Sequence, residues 1–239
     1  MKEIEKDLND MDSRISDLIK PTKSSLHTAI FGRSGSGKTY FIKNSLYSAI
    51  KDLETFPKNH RFIIIDPKNQ RGDYDALAEP IIFPDIEEIL ENINTKRTTV
   101  IWPDYDDIQY TIDSTIRILF EMADHQRTFS ATLIIDEAGE VISHQKIPPM
   151  IGKIAVQGRA KNLKLIVLNQ RPILNRKLDA QLEHMILFSM TDIDSDNLRK
   201  RWGISFESLD KNLDKTPYSF YHFNVMKNTK KLFGPLKVV

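Results

Sequence analysis

The stretch GRSGSGKT, from Gly32 to Thr39, lies between the apolar segment LHTAIF and a segment with helical periodicity. It matches the pattern G-x-x-x-x-G-K-[ST], whose glycines keep side chains away from the oxygens of a bound phosphate. Backbone amides at the start of the following helix point at the anion, and the positive end of the helix dipole favours it. Because a strand precedes the loop and a helix follows it, we predict a binding site for a nucleoside triphosphate with Mg²⁺.

Two side chains of this loop have predicted roles of their own. Lys38 is expected to reach the β- and γ-phosphates and to take part in catalysis, and the Thr39 hydroxyl is expected to bind Mg²⁺. The residues predicted to contact the nucleotide are Gly32, Arg33, Ser34, Gly35, Ser36, Gly37, Lys38, Thr39 and Tyr40.

Apolar strand-like runs alternate with longer helical segments along the rest of the chain. The alternation predicts an α/β fold with a doubly wound, mostly parallel sheet, since nearly continuous apolar runs are typical of strands covered on both faces. At the C-terminal end, YSFYHFNVM and KKLFGPLKVV flank the turn-like KNT and predict an antiparallel edge hairpin over 217–239. The predicted internal strands are RFIIID (61–66), TTVIWP (98–103), ATLIID (131–136), LKLIVLN (163–169) and HMILFSM (184–190).

The composition excludes several classes of protein. None of the 239 residues is a cysteine, which excludes disulfides and thiolate zinc sites. The formal net charge is only +1, so any contact with nucleic acid must come from local basic loops. No run of about 18 apolar residues occurs, and a transmembrane segment is not expected.

The first 25 residues are predicted to form a helical extension, and 26–239 a single α/β domain that includes the hairpin. An apolar stripe at helical spacing predicts that the extension packs on the domain or on a neighbouring subunit. The residues of this stripe are Ile4, Leu8, Met11, Ile15 and Leu18.

The segment LIIDEAGE places two carboxylates, Asp136 and Glu137, directly after a buried strand. Ligands of parallel sheets bind at the carboxyl ends of the strands, so both side chains are expected beside the phosphates. Asp136 is predicted to hold Mg²⁺, and Glu137 to orient and deprotonate the attacking water. The chain has no NKxD motif for guanine, and signalling GTPases do not usually carry a carboxylate after this aspartate. The two motifs together predict ATP hydrolysis that drives motion.

The segment GRAKNLKLIVLNQRP contributes two further candidates, Gln170 and Arg159. Gln170 follows the strand next to the one that ends in Asp136, where a polar side chain can contact both the γ-phosphate and the attacking water. Arg159 precedes that strand and is therefore expected at the end of the strand opposite the nucleotide of its own subunit. A surface salt bridge is the simpler interpretation from spacing alone, and a contact with the nucleotide of a neighbouring subunit is the alternative.

These motifs resemble those of the FtsK/HerA superfamily of hexameric DNA-pumping ATPases, and they occur in the family's order over about 27–235. The resemblance implies a RecA-like (ASCE) P-loop NTPase, with Gln170 at the sensor position and Arg159 as the intersubunit arginine. Asp66 and Lys68 occupy the IDPK positions and receive no role. The matching stretches are GRSGSGKT, IIIDPK (63–68), LIIDEAGEVI (133–142), GRAKNLKLIVLNQRP and MTDIDSDNLRKRWG (190–203).

The membrane segments and winged-helix tail of FtsK-type translocases, and the β-barrel of HerA-type proteins, have no counterpart in the sequence. A chain reduced to the motor most resembles the genome-packaging ATPases of tailless, membrane-containing double-stranded DNA viruses. This resemblance implies double-stranded DNA as partner, a homo-oligomeric ring such as a hexamer, and contacts with capsid or membrane vertex proteins. It also implies a place in the host cytoplasm or with the virion.

The candidate DNA contacts lie in SHQKIPPMIGKIAVQGRAK, at Lys146, Lys153 and Lys161. Such contacts would be made to phosphates and need no base recognition. A solvated loop is an equally good interpretation of this segment. Two alternative functions also stay open: a pump for single-stranded DNA in export or conjugation, and a nucleotide-dependent assembly or scaffold protein without transport.

Overall fold

The structure is a computed structural model that describes residues 18–20, 27–54, 56–204 and 218–234. Its strands are β1 (His27–Phe31), β2 (His60–Ile65), β3 (Ile81–Ile82), β4 (Thr98–Trp102), β5 (Ser130–Ile135), β6 (Leu163–Asn169), β7 (Leu182–Leu187), β8 (Phe220–Asn224) and β9 (Thr229–Phe233). Its α-helices are α1 (Lys38–Lys51), α2 (Ile86–Thr95), α3 (Ile108–His125), α4 (Pro149–Gln157), α5 (Arg176–Asp179) and α6 (Asp192–Trp202), and two 3₁₀ turns cover Ala138–Glu140 and Gly158–Lys161.

The strands form one sheet in the order β3-β4-β2-β5-β6-β1-β7-β8-β9. All neighbours from β3 to β7 pair in parallel, and β8 and β9 add an antiparallel hairpin at one edge. This arrangement confirms the predicted fold class. The prediction missed β3, which has two residues and is therefore too short to show a period of two.

Both faces of the central strands are buried, as the continuous apolar runs predict. In β2, Phe62 and Ile64 face the core that contains the apolar side of α1, whereas Ile63 and Ile65 face the core that contains α3. All four side chains are fully buried. Alternate residues of a strand point to opposite faces, so a strand between two helical layers needs apolar residues at every position.

Three central strands end at the same edge of the sheet. Phe31, the last residue of β1, pairs with Asn169, the last residue of β6. Ile135, the last residue of β5, pairs with Val167 of β6. The segments that follow these strands, which contain the phosphate loop, the two carboxylates and Gln170, are therefore neighbours in space.

The predicted N-terminal extension lies largely outside the described residues. Within its described residues 18–20, Leu18 and Ile19 are buried, and their backbone carbonyls accept hydrogen bonds from Thr28 (3.1 Å) and Thr132 (2.7 Å) on the central strands. The division at residue 25 stays a prediction. No helix in the described part of the chain is both long and apolar enough to cross a membrane.

Candidate nucleotide-binding and hydrolysis site

The predicted phosphate loop joins β1 to the first turn of α1. Two of its glycines are required by the local structure. A Cβ on Gly32 would lie 2.6 Å from both Phe188 Cβ and Ser36 Oγ, and Gly37 has a φ of 105°, in the left-handed region that favours glycine. Ser36 Oγ is buried and has no hydrogen-bond partner among the described residues. The loop thus brings this hydroxyl to the start of α1, where the first backbone N–H groups of a helix have no partner within the helix and favour an anion.

Lys38 and Thr39 begin α1 and point toward different groups. Lys38 Nζ donates to the carbonyl oxygens of Gly32 (2.7 Å) and Arg33 (3.1 Å), and burial lowers the pKa of this ammonium. Thr39 Oγ1 donates to Asp136 Oδ2 at 3.1 Å. The contact joins the phosphate loop to the carboxylate after β5, although the two residues are about 100 positions apart in the chain.

Asp136 and Glu137 lie at the carboxyl end of β5, as predicted. Asp136 is fully buried, and its Oδ2 also accepts a hydrogen bond from the hydroxyl of the buried Tyr74 at 2.9 Å. Glu137 has a φ of 46°, which is uncommon for a residue other than glycine and turns the chain into the following 3₁₀ turn. Backbone strain of this kind persists where the surrounding structure holds a functional side chain in place.

Gln170 contacts Glu137 directly. Its Nε2 donates to Glu137 Oε1 at 3.2 Å, and its backbone N–H donates to Asn169 Oδ1 at 2.8 Å. Asn169 is buried and lies against Gly139, where a Cβ would be only 2.6 Å from Asn169 Oδ1. The prediction placed Gln170 beside the attacking water. The structure shows Gln170 in contact with Glu137, the predicted base. It also shows Asn169 and Gly139 supporting Gln170, two residues to which the sequence analysis gave no role.

Lys68 is a further charged residue that the sequence left without a role. Its Nζ lies 3.3 Å from Asp136 Oδ2 and 3.3 Å from Glu137 Oε1. Burial by itself would lower the pKa of Lys68, but the charges of the two carboxylates raise it overall. The IDPK motif is the sequence signal that could have identified Lys68. The motif follows β2, and β2 pairs in parallel with β5, so residues after both strands lie at the same edge of the sheet.

Asp66 adds a third carboxylate to this edge. It is fully buried, and burial followed by the nearby charge of Asp136 raises its pKa to about 6. Its Oδ1 accepts from the backbone N–H of Lys68 at 3.1 Å, while its buried Oδ2 has no partner among the described residues. Asp66 therefore shapes the loop that carries Lys68 and raises the negative charge of the site.

Comparison with known proteins identifies the family of this chain. Residues 17–216 match the protein family described as "Poxvirus A32 protein". The chain belongs to the poxvirus A32 family. No curated protein matches this A32-family chain. Membership of this family confirms the predicted resemblance and the predicted enzyme class, an ATPase.

Solved structures with the same fold include B204, described as the DNA-packaging ATPase from Sulfolobus turreted icosahedral virus. B204 shares 22% identity with the A32-family chain, with a TM-score of 0.67, and the alignment covers 91% of this chain and 100% of B204. B204 of Sulfolobus turreted icosahedral virus 2, in complex with AMPPCP, has 21% identity, a TM-score of 0.65 and coverages of 89% and 98%. VirB4 of Thermoanaerobacter pseudethanolicus has 11% identity, a TM-score of 0.63 and coverages of 89% and 89%.

The oxygen atoms around Asp136 suit a Mg²⁺ ion. Magnesium prefers oxygen ligands, and Thr39 Oγ1 and Asp136 Oδ2 lie within hydrogen-bond distance of each other. Asp66 Oδ2, which has no partner in the described part of the chain, is a further buried oxygen at this edge of the sheet. Thr39 and Asp136 are the residues of this A32-family protein that would hold the ion. The predicted metal-binding pair is thus brought together.

The structure separates Arg159 from this site. Arg159 is exposed in the 3₁₀ turn before β6, whereas Gln170 follows the other end of that strand. A strand of seven residues spans about 23 Å, so Arg159 is far from the nucleotide of its own subunit. Its role toward a neighbouring subunit of the A32-family protein stays a prediction.

The three candidate DNA-binding lysines have different surroundings. Lys146 is exposed in the loop before α4. Lys153 lies over the ring of Phe120 at 4.3 Å from its centre, and Lys161 forms an ion pair with Asp124. Contacts of these lysines with DNA stay a prediction, and the local partners of Lys153 and Lys161 would have to be exchanged for phosphates.

Proposed function

We propose that this A32-family protein hydrolyses ATP with Mg²⁺ and moves double-stranded DNA into a viral capsid as a homo-oligomeric ring, such as a hexamer. The observation that carries the proposal is the convergence of Glu137, Gln170 and the Thr39–Asp136 pair beside the phosphate loop. Family membership and the likeness to B204, described as a DNA-packaging ATPase, support genome packaging as the work that hydrolysis drives.

Nucleotide binding begins at the phosphate loop. Lys38 now donates to two backbone carbonyls, and charged phosphate oxygens are stronger acceptors than these neutral groups. Lys38 therefore exchanges the carbonyls for the β- and γ-phosphates when ATP binds. Bound Mg²⁺ supplies positive charge that offsets the negative charge of the phosphate oxygens.

Hydrolysis then depends on Glu137. Its carboxylate accepts a proton from the attacking water, which requires that the carboxylate be held in one orientation. Gln170 and Lys68 hold Glu137 Oε1 at 3.2 Å and 3.3 Å. In the proposed mechanism Gln170 also contacts the γ-phosphate, so its contacts change when that phosphate leaves.

The coupling to motion involves two protomers. Arg159 is too far from its own nucleotide and contacts the γ-phosphate of the neighbouring subunit, where it stabilises developing charge. Loss of the γ-phosphate releases Gln170 and Arg159, and the interface between subunits shifts. The segment with Lys146, Lys153 and Lys161 then moves along the phosphates of the duplex. Capsid or membrane vertex proteins anchor the ring, in the host cytoplasm or on the virion.

The ATPase rate with double-stranded DNA, single-stranded DNA and no DNA, measured beside the oligomer mass, tests this proposal. A packaging motor is stimulated most by the duplex and forms a ring under the same conditions. Stronger stimulation by single-stranded DNA would favour an export pump instead. A rate that ignores DNA would favour the scaffold function.

The role of Arg159 has a separate test in mixed oligomers. Arg159→Ala and Lys38→Ala are each expected to abolish turnover alone. In a mixture, a Lys38→Ala subunit can supply its intact Arg159 to the intact nucleotide site of an Arg159→Ala neighbour, so activity returns in part. Inactivity at every mixing ratio would contradict the action of Arg159 across the interface.

A further inference from the structure

Tyr218 lies against the phosphate loop but has no part in the chemistry described above. A Cβ built on Gly37 would be 2.9 Å from Tyr218 Cδ1 and 3.8 Å from Tyr218 Cβ, so the tyrosine ring is packed on the backbone of the loop. Tyr218 nevertheless remains 49% exposed. One part of the ring thus contacts the nucleotide loop while another part is open to solvent.

The backbone of Tyr218 is held in an unfavourable conformation. Its φ of 64° lies in the left-handed region, which bulky residues rarely adopt. Such strain is typical of ligand-binding positions that neighbouring structure holds in place. The neighbour here is Phe220, whose ring packs at 5.0 Å from that of Phe41 on α1 and at 5.3 Å from that of Phe188. This buried aromatic cluster fixes the start of β8 behind the phosphate loop.

The sheet order determines which part of ATP would reach Tyr218. Glu137 and Gln170 follow β5 and β6, so the γ-phosphate of a bound ATP would lie on that side of the loop. Its ribose and base would then extend to the other side of β1, toward β7 and β8. Because β8 is antiparallel to β7, its first residues lie at the edge where the parallel strands end. Tyr218 precedes β8 and therefore lies at the edge of the sheet where the nucleotide would bind, on the side of β1 toward which the base would extend.

We propose that Tyr218 is a stacking surface for the base of the bound nucleotide. The proposal rests on the proposed function only in requiring that the phosphate loop bind a nucleoside triphosphate. An aromatic ring offers its face to the flat face of a base, and the strained, anchored backbone keeps that ring in position before the nucleotide arrives. The ligand class is a purine nucleotide, with the ring recognising the base and the loop recognising the phosphates.

Binding of ATP and of inorganic tripolyphosphate, measured by calorimetry with Mg²⁺ on the full chain, separates the two contributions. Tyr218→Ala is expected to weaken ATP binding about 10- to 100-fold, the range for loss of one stacked base, and to leave tripolyphosphate binding unchanged. Tyr218→Phe keeps the ring and is expected to bind ATP like the natural protein. Tyr110→Ala, which removes another exposed tyrosine, is the matched control.

Two results would overturn the proposal. Equal weakening of ATP and tripolyphosphate by Tyr218→Ala would mean that the ring only shapes the phosphate loop. Unchanged binding of both would mean that it contacts no base. Binding of tripolyphosphate also shows that the variant is folded. If the alanine variant does not fold, Tyr218→Leu repeats the test, because leucine keeps a bulky side chain but has no aromatic ring. These binding measurements do not depend on whether DNA stimulates hydrolysis. The stacking role of Tyr218 and the proposed DNA-packaging function can therefore fail independently of each other.

Discussion

Replacement of Gly139 by alanine tests how the base and the sensor are held together. Gly139 lies in the 3₁₀ turn that follows Glu137, and a Cβ there would be 2.6 Å from Asn169 Oδ1. Ordinary van der Waals contact begins at 3.4 Å, so the amide oxygen must move by about 0.8 Å, the difference between these distances. That oxygen accepts the hydrogen bond from the backbone N–H of Gln170.

The expected effect follows from this displacement. A hydrogen bond of 2.8 Å that lengthens by about 0.8 Å is lost, and together with the crowding this destabilises the fold by about 1–3 kcal/mol. Gln170 then no longer holds Glu137, and a misplacement of about 1 Å near reacting groups lowers turnover by about 100-fold. The KM for ATP is expected to change little, because the phosphate loop is not touched.

The assay is the rate of phosphate release over a range of ATP concentrations, with the melting temperature measured beside it. Gly152→Ala is the matched control: Gly152 lies within α4, and the nearest atom to its Cβ would be Ile147 Cγ2 at 4.0 Å. Alanine there is expected to be neutral or to stabilise the helix by about 0.5–1 kcal/mol. If Gly139→Ala melts and turns over like Gly152→Ala, the inferred link from Gly139 through Asn169 to Gln170 is wrong.

Three further predictions concern the carboxylates and the buried histidines. Glu137→Gln is expected to lower phosphate release by about 100- to 10,000-fold with ATP binding retained, and normal release would exclude Glu137 as the base. Lys68→Met removes the ammonium group that forms ion pairs with Asp136 and Glu137. Loss of a buried ion pair costs about 3–5 kcal/mol, and the partial exposure of Lys68 reduces the expected loss to about 1–3 kcal/mol, measured by urea unfolding. Lys68→Arg keeps the positive charge and should recover most of this stability. Equal stability of the natural protein and both variants would contradict the ion pairs. Burial lowers the pKa of His27 to about 4 and of His60 and His184 to about 3. Since these values lie below the unfolded pKa of about 6.5, the unfolded chain binds more protons in acid, and stability that is complete above about pH 6.5 is lost as the pH falls toward 4. A urea midpoint that stays constant from pH 7.5 to 4.5 would show that these histidines are not buried in the neutral form.

Residues that belong to short local motifs could be predicted from the sequence. The loop from Gly32 to Thr39, the Asp136–Glu137 pair and Gln170 each follow an apolar run, and the end of a parallel strand always lies at the ligand-binding edge. Tyr74 and Tyr218 could not be assigned in this way. Tyr74 contacts Asp136 and Tyr218 contacts Gly37, which are both far away in the chain, and nothing in the sequence around either tyrosine distinguishes it from other aromatic residues.

The sequence by itself determined the class of sheet, the phosphate loop and the carboxylates, because periodicity and turn chemistry are properties of a few consecutive residues. The tertiary structure decided how these parts are supported. Only the pairing of β2 with β5 brings Lys68 to Asp136 and Glu137, and only the antiparallel return of β8 brings Tyr218 to Gly37. The physical reason is that such contacts depend on strand order and register, which long-range packing selects and no local pattern records.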